Sequence, residues 1–391
     1  MTSAIPHHPA ATSPSSASPL QFSSASEANS FRLKAIVERL TFICRVGARF
    51  DPFEFSSLCF ALARGVDYAL TITDVPAIAH RLPSLIKQTY ERRNNSALQP
   101  AIMMLSVSTK NACKYGWFHT ADADEILRIA NELFDSFCMT RSVLMGLANP
   151  LDVILKIIPR FYPQLKFCSM IVSFEAKPGY EVLMTDFQIP RNQPPQEKIR
   201  LFVVQTDNLE TSSCIITPPQ VSFLINGKGV ERRTNVSPDI GPQLPTDITK
   251  MLKYGTNIIQ SIGYFSGTYL IALAYISKLT AFSAPPLKDH VEPVITAADA
   301  DSEIVEGASR ITLNCPFSFK RIKTPVKGHL CKHHQCFDYD NFMEMNSRNP
   351  SWRCPSCHQH VSCIDLCIDR NMAKANIRRG GKRCFQCCHL C

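Results

Sequence analysis

Residues 315–357 read CPFSFKRIKTPVKGHLCKHHQCFDYDNFMEMNSRNPSWRCPSC, and this stretch decides the fold of the last part of the chain. It has the spacing of a cross-brace zinc module, in which four pairs of ligand positions alternate between two metals. The second pair is present as Cys331 and His333, and the fourth as Cys354 and Cys357. Three thiolates and one imidazole make a closed tetrahedral site, the usual chemistry of structural zinc. These four residues are therefore predicted zinc ligands.

The first and third ligand pairs of the module are incomplete. Ser318 stands three residues after Cys315, and Tyr339 stands three residues after Cys336, where two further cysteines would be needed. Two thiols do not hold a structural zinc ion. The sequence therefore predicts one bound zinc, with Cys315 and Cys336 left as a structural site without metal.

The predicted metal site is closed, which disfavours a hydrolytic metalloenzyme because no position is open for a water molecule. His334 is an alternative ligand to His333, although the C-x-H spacing favours His333. A helix over 337–346 is expected to be capped by Asp338, and Trp352 to pack it against the metal site. Because so small a module buries little apolar surface, the metal is expected to supply much of its folding free energy, about 10–16 kcal/mol in zinc-finger peptides.

The composition indicates a multidomain protein of a reducing compartment. The chain has 391 residues, of which 45% are hydrophobic and 19% charged, enough for two or three domains with apolar cores. Eleven of the 17 cysteines fall in the last 77 residues, a distribution that favours metal ligation over a secreted disulfide framework. No apolar run has the length of a membrane span, so no membrane contact is expected. The net charge of +9 permits contact with nucleic acid or an acidic protein surface.

The pattern along the chain predicts a multidomain α+β fold. Periodic apolar residues predict helices, one capped by Ser30, one beginning at Asp51-Pro52, and others over 75–91, 101–113 and 121–138. Later segments predict a β-sandwich with a tight turn at Asn226-Gly227 and strands at 168–174, 198–206, 220–226 and 269–276. The predicted divisions are a disordered leader (1–29), a helical domain (30–148), a β-rich domain (159–280), a linker (281–308), a zinc module (309–370) and an atypical Cys-rich tail (371–391).

The zinc module and the chain that precedes it resemble a known protein family. Cys-x-His-x-Gln-Cys-Phe-Asp over 331–338 and Pro-x-Trp-x-Cys-Pro-x-Cys over 350–357 resemble the SP-RING, or MIZ-type zinc finger, of Siz/PIAS SUMO ligases. The β-rich region resembles the PINIT domain of that family. The chain up to about residue 375 is similar to the plant PIAS-like (PIAL) branch, through segments such as EKIRLF at 197–202, NGKGV at 226–230 and LKYGTN at 252–257.

The resemblance implies a SUMO transferase of the RING type that works as a scaffold. Such a ligase binds the SUMO-charged conjugating enzyme and promotes transfer of SUMO to substrate lysines, with no covalent intermediate on the ligase. The family pattern assigns the four zinc ligands as above, and it places Phe317, Met345 and Pro355 against the conjugating enzyme. The implied partners are that enzyme, SUMO and protein substrates, with chromatin proteins as a further expectation, and the implied location is the nucleus.

Other interpretations stay open at this stage. The protein is also consistent with a non-catalytic zinc adaptor that binds chromatin proteins or nucleic acid, with a ubiquitin ligase, or with a SUMO ligase of the chain-elongating type. The basic run 378–383 fits a nuclear import signal or a solvated tail. The cysteines of 384–391 have no distal ligand pair, so a splice or gene-model end is expected there rather than a second zinc site.

Overall fold

The structure, a computed structural model, describes residues 22–46, 50–137, 149–192, 196–236, 241–279, 286–291 and 311–378. Five α-helices come first: α1 (Ala25–Val46), α2 (Pro52–Thr71), α3 (Leu82–Tyr90), α4 (Gln99–Lys114) and α5 (Thr120–Phe137). A 3₁₀ helix over Ala77–Arg81 precedes α3. Asp51 caps α2 as predicted, because its carboxylate accepts a hydrogen bond from the Phe53 amide. The tail 379–391 lies outside the described residues.

The predicted start of the first helix is wrong. Helix α1 begins at Ala25, so Ser30 lies inside it and the last residues of the predicted leader are helical. Ser24 provides the cap instead, since its hydroxyl accepts a hydrogen bond from the Glu27 amide. Both serines have the chemistry of a cap, and the apolar stripe that begins at Leu33 does not distinguish them.

A sixth helix, α6 (Pro150–Phe161), was missed because the interior Pro159 reads as a helix breaker. It is followed by a two-sheet sandwich with strands β1 (Leu165–Ala176), β2 (Gly179–Ile189), β3 (Lys198–Gln205), β4 (Val221–Ile225), β5 (Lys228–Gly229), β6 (Thr246–Asp247), β7 (Gly255–Phe265) and β8 (Tyr269–Lys278). One sheet has the order β1-β8-β3-β6 and the other β2-β7-β4-β5, both antiparallel. The tight turn at Asn226-Gly227 is confirmed, with positive φ at both residues.

The zinc module forms a third, small sheet of order β11-β10-β12-β9. Its elements are β9 (Lys288–Asp289), β10 (Pro325–Gly328), β11 (Phe337–Asp338), α7 (Tyr339–Arg348), β12 (Leu366–Ile368) and α8 (Arg370–Arg378). The predicted linker 281–308 is therefore wrong in part: β9 pairs in parallel with β12. The side chain of His290 also lies 3.1 Å from the carbonyl oxygen of Cys331.

Three apolar cores stack these parts in layers, and the alternation of side chains along the strands explains why. In β3, Leu201 and Val203 point into the core between the two sheets, whereas Phe202 and Val204 point to the opposite face, where α6 and the zinc module pack. The outer face of the other sheet contributes Met184 to the core of helices α1 to α5. The order of layers is helices, sheet, sheet, and then α6 with the zinc module.

A buried polar contact joins the helical layer to the sandwich. The carboxylate of Asp67 in α2 accepts hydrogen bonds from the Thr256 amide (2.7 Å) and the Thr256 hydroxyl (3.1 Å). Arg64, one turn earlier, donates to the Tyr254 and Thr256 carbonyl oxygens. Gly255 lies between Tyr254 and Thr256 with φ +79°, and a Cβ there would lie 2.5 Å from an Asp67 carboxylate oxygen. The close approach of α2 to β7 therefore requires glycine at this position.

Candidate metal centre

Two loops of the zinc module have the same backbone conformation. In the first knuckle, residues 314–321, the Phe319 amide donates a hydrogen bond to the Cys315 carbonyl oxygen (2.8 Å). In the second knuckle, residues 353–360, the His358 amide donates to the Cys354 carbonyl oxygen (2.9 Å). The fifth residue of each turn has positive φ, +55° and +59°, and an isolated β-bridge closes each loop. The loops correspond residue by residue, so Ser318 occupies the position that Cys357 has in the second knuckle.

The second knuckle and the turn after β10 bring together the four predicted zinc ligands. One donor atom each from Cys331, His333, Cys354 and Cys357 lies within 4.8 Å of all the others. The Cys331 and Cys357 sulfurs are 3.7 Å apart, and His333 Nε2 is 3.1 Å from the Cys354 sulfur. A tetrahedral zinc with Zn–S bonds of about 2.3 Å separates two sulfurs by about 3.8 Å, so these residues fit a zinc ion.

The environment of the cluster stabilises one thiolate, that of Cys354. The thiol of Cys331 donates to the Cys354 sulfur, which lowers the pKa of Cys354 well below its ordinary value and raises that of Cys331. Nδ1 of His333 is buried and has no hydrogen-bond partner among the described residues. A divalent cation would replace the shared proton and neutralise the thiolates. The donor set and the MIZ-type sequence thus both point to zinc binding.

The first knuckle is held by hydrogen bonds in the place of metal bonds. The sulfur of Cys315 accepts a hydrogen bond from the Asp338 amide (3.4 Å), and the Ser318 hydroxyl accepts one from the Asn341 side chain (2.8 Å). The Cys336 thiol donates to the His334 carbonyl oxygen (3.6 Å), so the two cysteines have different partners. Within the described residues, the Cys331 cluster is the single group of three or more Cys, His, Asp or Glu placed to hold a metal ion.

A buried lysine that the sequence analysis missed lies beside Cys336. The Lys327 side chain is 3% exposed, and its ammonium group is 3.0 Å from the Asp369 carboxylate and 3.2 Å from the His333 carbonyl oxygen. Burial, with the nearby Asp369 carboxylate, raises the pKa of the Cys336 thiol to about 12. The ammonium thus ties the metal-binding turn to the segment between β12 and α8. One lysine in a short strand gives no sequence signal for such a role.

The predicted contact residues for a partner enzyme are only partly exposed. The ring of Phe317 packs against Phe337 and Phe342, with centroids 6.0 and 5.9 Å apart, and Met345 and Pro355 are half-buried. By contrast, Phe319 is 79% exposed on the same knuckle. A bulky residue at positive φ is uncommon and costs conformational energy. The backbone of the first knuckle is therefore strained at Phe319, whose ring lies in solvent. The analysis of the sequence did not single out Phe319.

The zinc module shares its core with α6 and the sandwich. Trp352, 1% exposed, packs its ring between Phe161 of α6 (6.1 Å) and Phe342 of α7 (5.8 Å). The expected role of Trp352 in packing α7 is confirmed, as is the cap of α7 by Asp338. The Ser212 hydroxyl adds a polar contact by donating to the Ser351 carbonyl oxygen (3.0 Å). The module is therefore fixed to the rest of the protein and has more apolar support than its own length supplies.

Comparisons with known proteins agree with this geometry. The family model for the N-terminal domain of the E4 SUMO-protein ligase PIAL1 matches residues 25–179, and the model for the MIZ/SP-RING zinc finger matches residues 311–360. The first match runs from α1 into the sandwich, and the second covers both knuckles. No helix in the part of the chain that the structure describes has the length and apolarity to cross a membrane.

Several relatives match over much of the chain. The E4 SUMO-protein ligase PIAL2 of Arabidopsis thaliana is 46% identical over 352 residues, 90% of this chain and 46% of that protein. PIAL1 of the same plant is 42% identical over 330 residues, 84% of this chain and 39% of that protein. The E3 SUMO-protein ligase pli1 of Schizosaccharomyces pombe is 32% identical over 198 residues, 46% of this chain and 27% of that protein. The chain thus spans less than half the length of each.

The Cys₃His cluster, built by the second knuckle and the turn after β10, lies within the residues that match the MIZ/SP-RING zinc finger. The fold class predicted from the sequence is confirmed: a helical region, a β-rich domain and a small zinc module follow one another. By this match the chain contains an SP-RING zinc finger, and its predicted similarity to the plant PIAL branch of Siz/PIAS proteins is confirmed.

Proposed function

We propose that this chain is a SUMO ligase that binds a SUMO-charged conjugating enzyme through the zinc module. The observation that carries the proposal is the pairing of one complete zinc-ligand set with a metal-free knuckle that presents Phe319 to solvent. The MIZ/SP-RING match covers this region, and the relatives above are named SUMO-protein ligases. A closed Cys₃His site gives zinc a structural role, so one ion per chain is part of the proposal.

The chain contributes positioning rather than a nucleophile. The thiols of Cys315 and Cys336 are buried and hydrogen-bonded inside the module, and burial disfavours the thiolate of Cys336. We therefore place the reaction on the partner: the substrate lysine attacks the thioester carbonyl of SUMO, and the conjugating enzyme's cysteine leaves as a thiolate. The ligase accelerates this step by restricting the SUMO-charged enzyme to reactive orientations.

Phe319 is the central contact in this proposal. The family pattern implies that Phe317, Met345 and Pro355 also contact the conjugating enzyme. All three are half-buried, and the Phe317 ring packs inside the module against Phe337 and Phe342. An aromatic side chain that is solvent-exposed in the free protein and buried on binding is a typical hot spot, worth about 2 kcal/mol or more. The zinc cluster fixes the second knuckle, and the hydrogen bonds of Cys315 and Ser318 fix the first.

The test is reconstituted SUMO transfer with purified, zinc-loaded protein and the Phe319→Asn variant. Asparagine tolerates positive φ, so this change removes the ring and keeps the backbone of the knuckle. We expect transfer at limiting conjugating enzyme to fall by at least about tenfold. Phe53→Ala is the matched control, because Phe53 is also 79% exposed but lies at the start of α2.

Two results would count against the proposal at different levels. If Phe319→Asn transfers SUMO as well as Phe53→Ala, Phe319 is not the contact. If the wild-type protein raises conjugate formation no more than Cys331→Ser, which loses one zinc ligand, the ligase assignment itself is wrong. Following conjugate length on a substrate with one acceptor lysine tests whether the protein elongates chains, which the E4 names of two relatives support.

We also propose that the protein acts in the nucleus, where the basic run 378–383 serves as an import signal. A fluorescent fusion to the full chain is expected to accumulate in nuclei, and replacement of these basic residues by glutamine is expected to disperse it. Nuclear accumulation that survives the replacement would assign import to another segment.

A further inference from the structure

A groove with excess positive charge lies where the helical layer meets the sandwich, on a side of the molecule unrelated to the zinc site. Two adjoining cavities, of about 120 and 240 Å³, share the lining residues Asn29, Arg32 and Tyr254. Arg64 completes the first cavity and Arg191 the second. We call this surface the α1–α2 groove. Three arginine side chains therefore line one depression.

No acidic residue lines either cavity. Arg64 has Asp67 at 3.8 Å, but the Asp67 carboxylate already accepts two hydrogen bonds from Thr256. Arg32 and Arg191 have no carboxylate partner among the described residues, and the guanidinium of Arg191 lies over the Tyr68 ring at 5.6 Å. Arginines without counter-charges on a built surface are suited to bind carboxylates in a bidentate manner.

The groove is preformed. Its floor depends on the close crossing of α1 and α2 at Gly65, where a Cβ would lie 2.4 Å from Leu33 Cδ2. The Asn29 side chain donates to the Gly65 carbonyl oxygen (3.1 Å) and fixes the same crossing. The Arg64 guanidinium is fixed by hydrogen bonds to the carbonyl oxygens of Tyr254, just before β7, and of Thr256, near its start. A ligand would thus meet a helix crossing and an Arg64 cation whose positions are already determined, which lowers the entropic cost of binding.

Tyr254 adds a hydrogen-bond donor between the two cavities. Burial raises the pKa of its phenol, so the hydroxyl stays protonated at neutral pH, and Arg191 and Arg64 both lie close enough to oppose that shift. The phenol makes no hydrogen bond within the described residues, and it lines both cavities. It is therefore free to donate to an anionic oxygen held by the arginines.

The size and the walls of the groove indicate what it binds. Each cavity is smaller than the roughly 300–1,000 Å³ of typical small-molecule pockets, so each accommodates a side chain rather than a whole ligand. Leu33, Ile36 and Ala61 give the first cavity an apolar wall beside its cations. Stacking of a nucleobase on Tyr68 is disfavoured because Arg191 already covers that ring. Neighbouring acidic and apolar side chains of an extended peptide match this surface.

We infer that the α1–α2 groove binds a short acidic peptide segment of a partner protein, with carboxylates on Arg32 and Arg191. The acidic residues between positions 299 and 306 of this chain are a less suitable occupant. The described residues on both sides of that segment are bonded to the zinc module. The His290 amide donates a hydrogen bond to the Ile368 carbonyl oxygen, and the Thr312 amide donates one to the Gln335 side-chain oxygen. This inference does not depend on SUMO transfer.

The experiment measures binding of a labelled peptide to the full-length, zinc-loaded protein by fluorescence anisotropy. The probe has about twelve residues, with four glutamates separated by leucine and serine, and a second probe has glutamine in place of glutamate. We expect the glutamate probe to bind, to bind more weakly as salt rises, and to lose at least about tenfold in affinity with Arg32→Gln/Arg191→Gln. Arg39→Gln is the matched control on α1, because Arg39 is ion-paired with Glu54.

Each other outcome would overturn the inference. Equal binding of the glutamine probe, no binding of either probe at low salt, or an equal loss with Arg39→Gln would remove the groove as an acidic-peptide site. Tighter, groove-dependent binding of a single-stranded oligonucleotide would make nucleic acid the occupant. A gain in probe affinity after neutralising Asp299, Asp301, Glu303 and Glu306 would identify the chain's own segment, and groove-dependent self-association would identify a second copy.

Discussion

The substitution Gly255→Ala tests whether the helical layer is attached to the sandwich through one close backbone approach. The new Cβ would lie 2.5 Å from an Asp67 carboxylate oxygen and 2.7 Å from the Asp67 Cβ, both below any ordinary contact distance. Asp67 does not swing aside without cost, because its carboxylate accepts two hydrogen bonds from Thr256. Clearing the clash therefore requires α2 to move away from β7 or the carboxylate to leave its partners.

The expected loss has two parts. Placing alanine at φ +79° costs about 1 kcal/mol, and loss of hydrogen bonds to a buried carboxylate adds about 1.5–3 kcal/mol for each bond. With one of the two hydrogen bonds lost, we expect Gly255→Ala to lower the free energy of unfolding by about 2.5–4 kcal/mol and Tm by about 5 °C or more. Amide hydrogen exchange is expected to rise first in α2 and at the start of β7, where the contact lies.

Gly116→Ala is the matched control for the backbone part of this loss. Gly116 has φ +72°, close to that of Gly255, but a Cβ there meets no atom within 4 Å. The control is expected to lose only about 1 kcal/mol. If Gly255→Ala is no more destabilising than Gly116→Ala, the steric argument is wrong and the two layers are joined by other contacts.

Three further predictions concern the zinc module. The double variant Cys315→Ser/Cys336→Ser is expected to keep one zinc per chain by metal analysis, because neither sulfur belongs to the ligand cluster; loss of the metal would contradict this. Trp352→Ala is expected to cost about 3–5 kcal/mol in chemical denaturation and to expose the module to protease, since the ring fills the contact with α6; an unchanged unfolding curve would refute the shared core. Lys327→Met is expected to lower the free energy of unfolding of the zinc-loaded protein by about 3 kcal/mol, measured by chemical denaturation, because it leaves the Asp369 carboxylate without its buried cation. An unchanged free energy of unfolding would show that this ion pair makes no net contribution to stability.

Much of the fold was predictable because local signals agreed with the tertiary structure. Asp51 followed by Pro52 has the chemistry of a helix start, and the structure places the start of α2 there. Asn226-Gly227 supplies the two positive-φ residues that the hairpin needs. The strand over Tyr269–Lys278 reads as a continuous apolar run because it is covered on both faces.

The missed elements are those whose local signals conflict with their environment. Strand β2 mixes polar and apolar residues: Met184 is buried in the helical core, whereas Asp186 is half-buried and Gln188 is exposed. Strand β9 has two residues and depends wholly on its pairing with β12. Sequence patterns do not specify such pairings, which come from the packing of distant segments.

The clustering of the four candidate zinc ligands was predictable for a different reason. Zinc demands particular donor atoms, and the spacing of Cys331, His333, Cys354 and Cys357 shows them directly. The surface of the module was harder to predict, because Phe317 and Phe319 have the same chemistry and only the turn geometry decides which ring faces inward. Positive φ at Phe319 reverses the direction of the chain there and leaves its ring in water.

The packing of Trp352 between α6 and α7 has a consequence for the reach of this molecule. A RING-like module on a flexible linker would sample many orientations. The module of this chain has a fixed orientation relative to the sandwich. In the SUMO transfer proposed above, the movement that brings a substrate lysine to the thioester must then come from flexible segments of the substrate or of SUMO. For that proposed transfer, we expect substrates with acceptor lysines in long flexible segments to be modified with SUMO more readily than substrates with lysines on rigid surfaces.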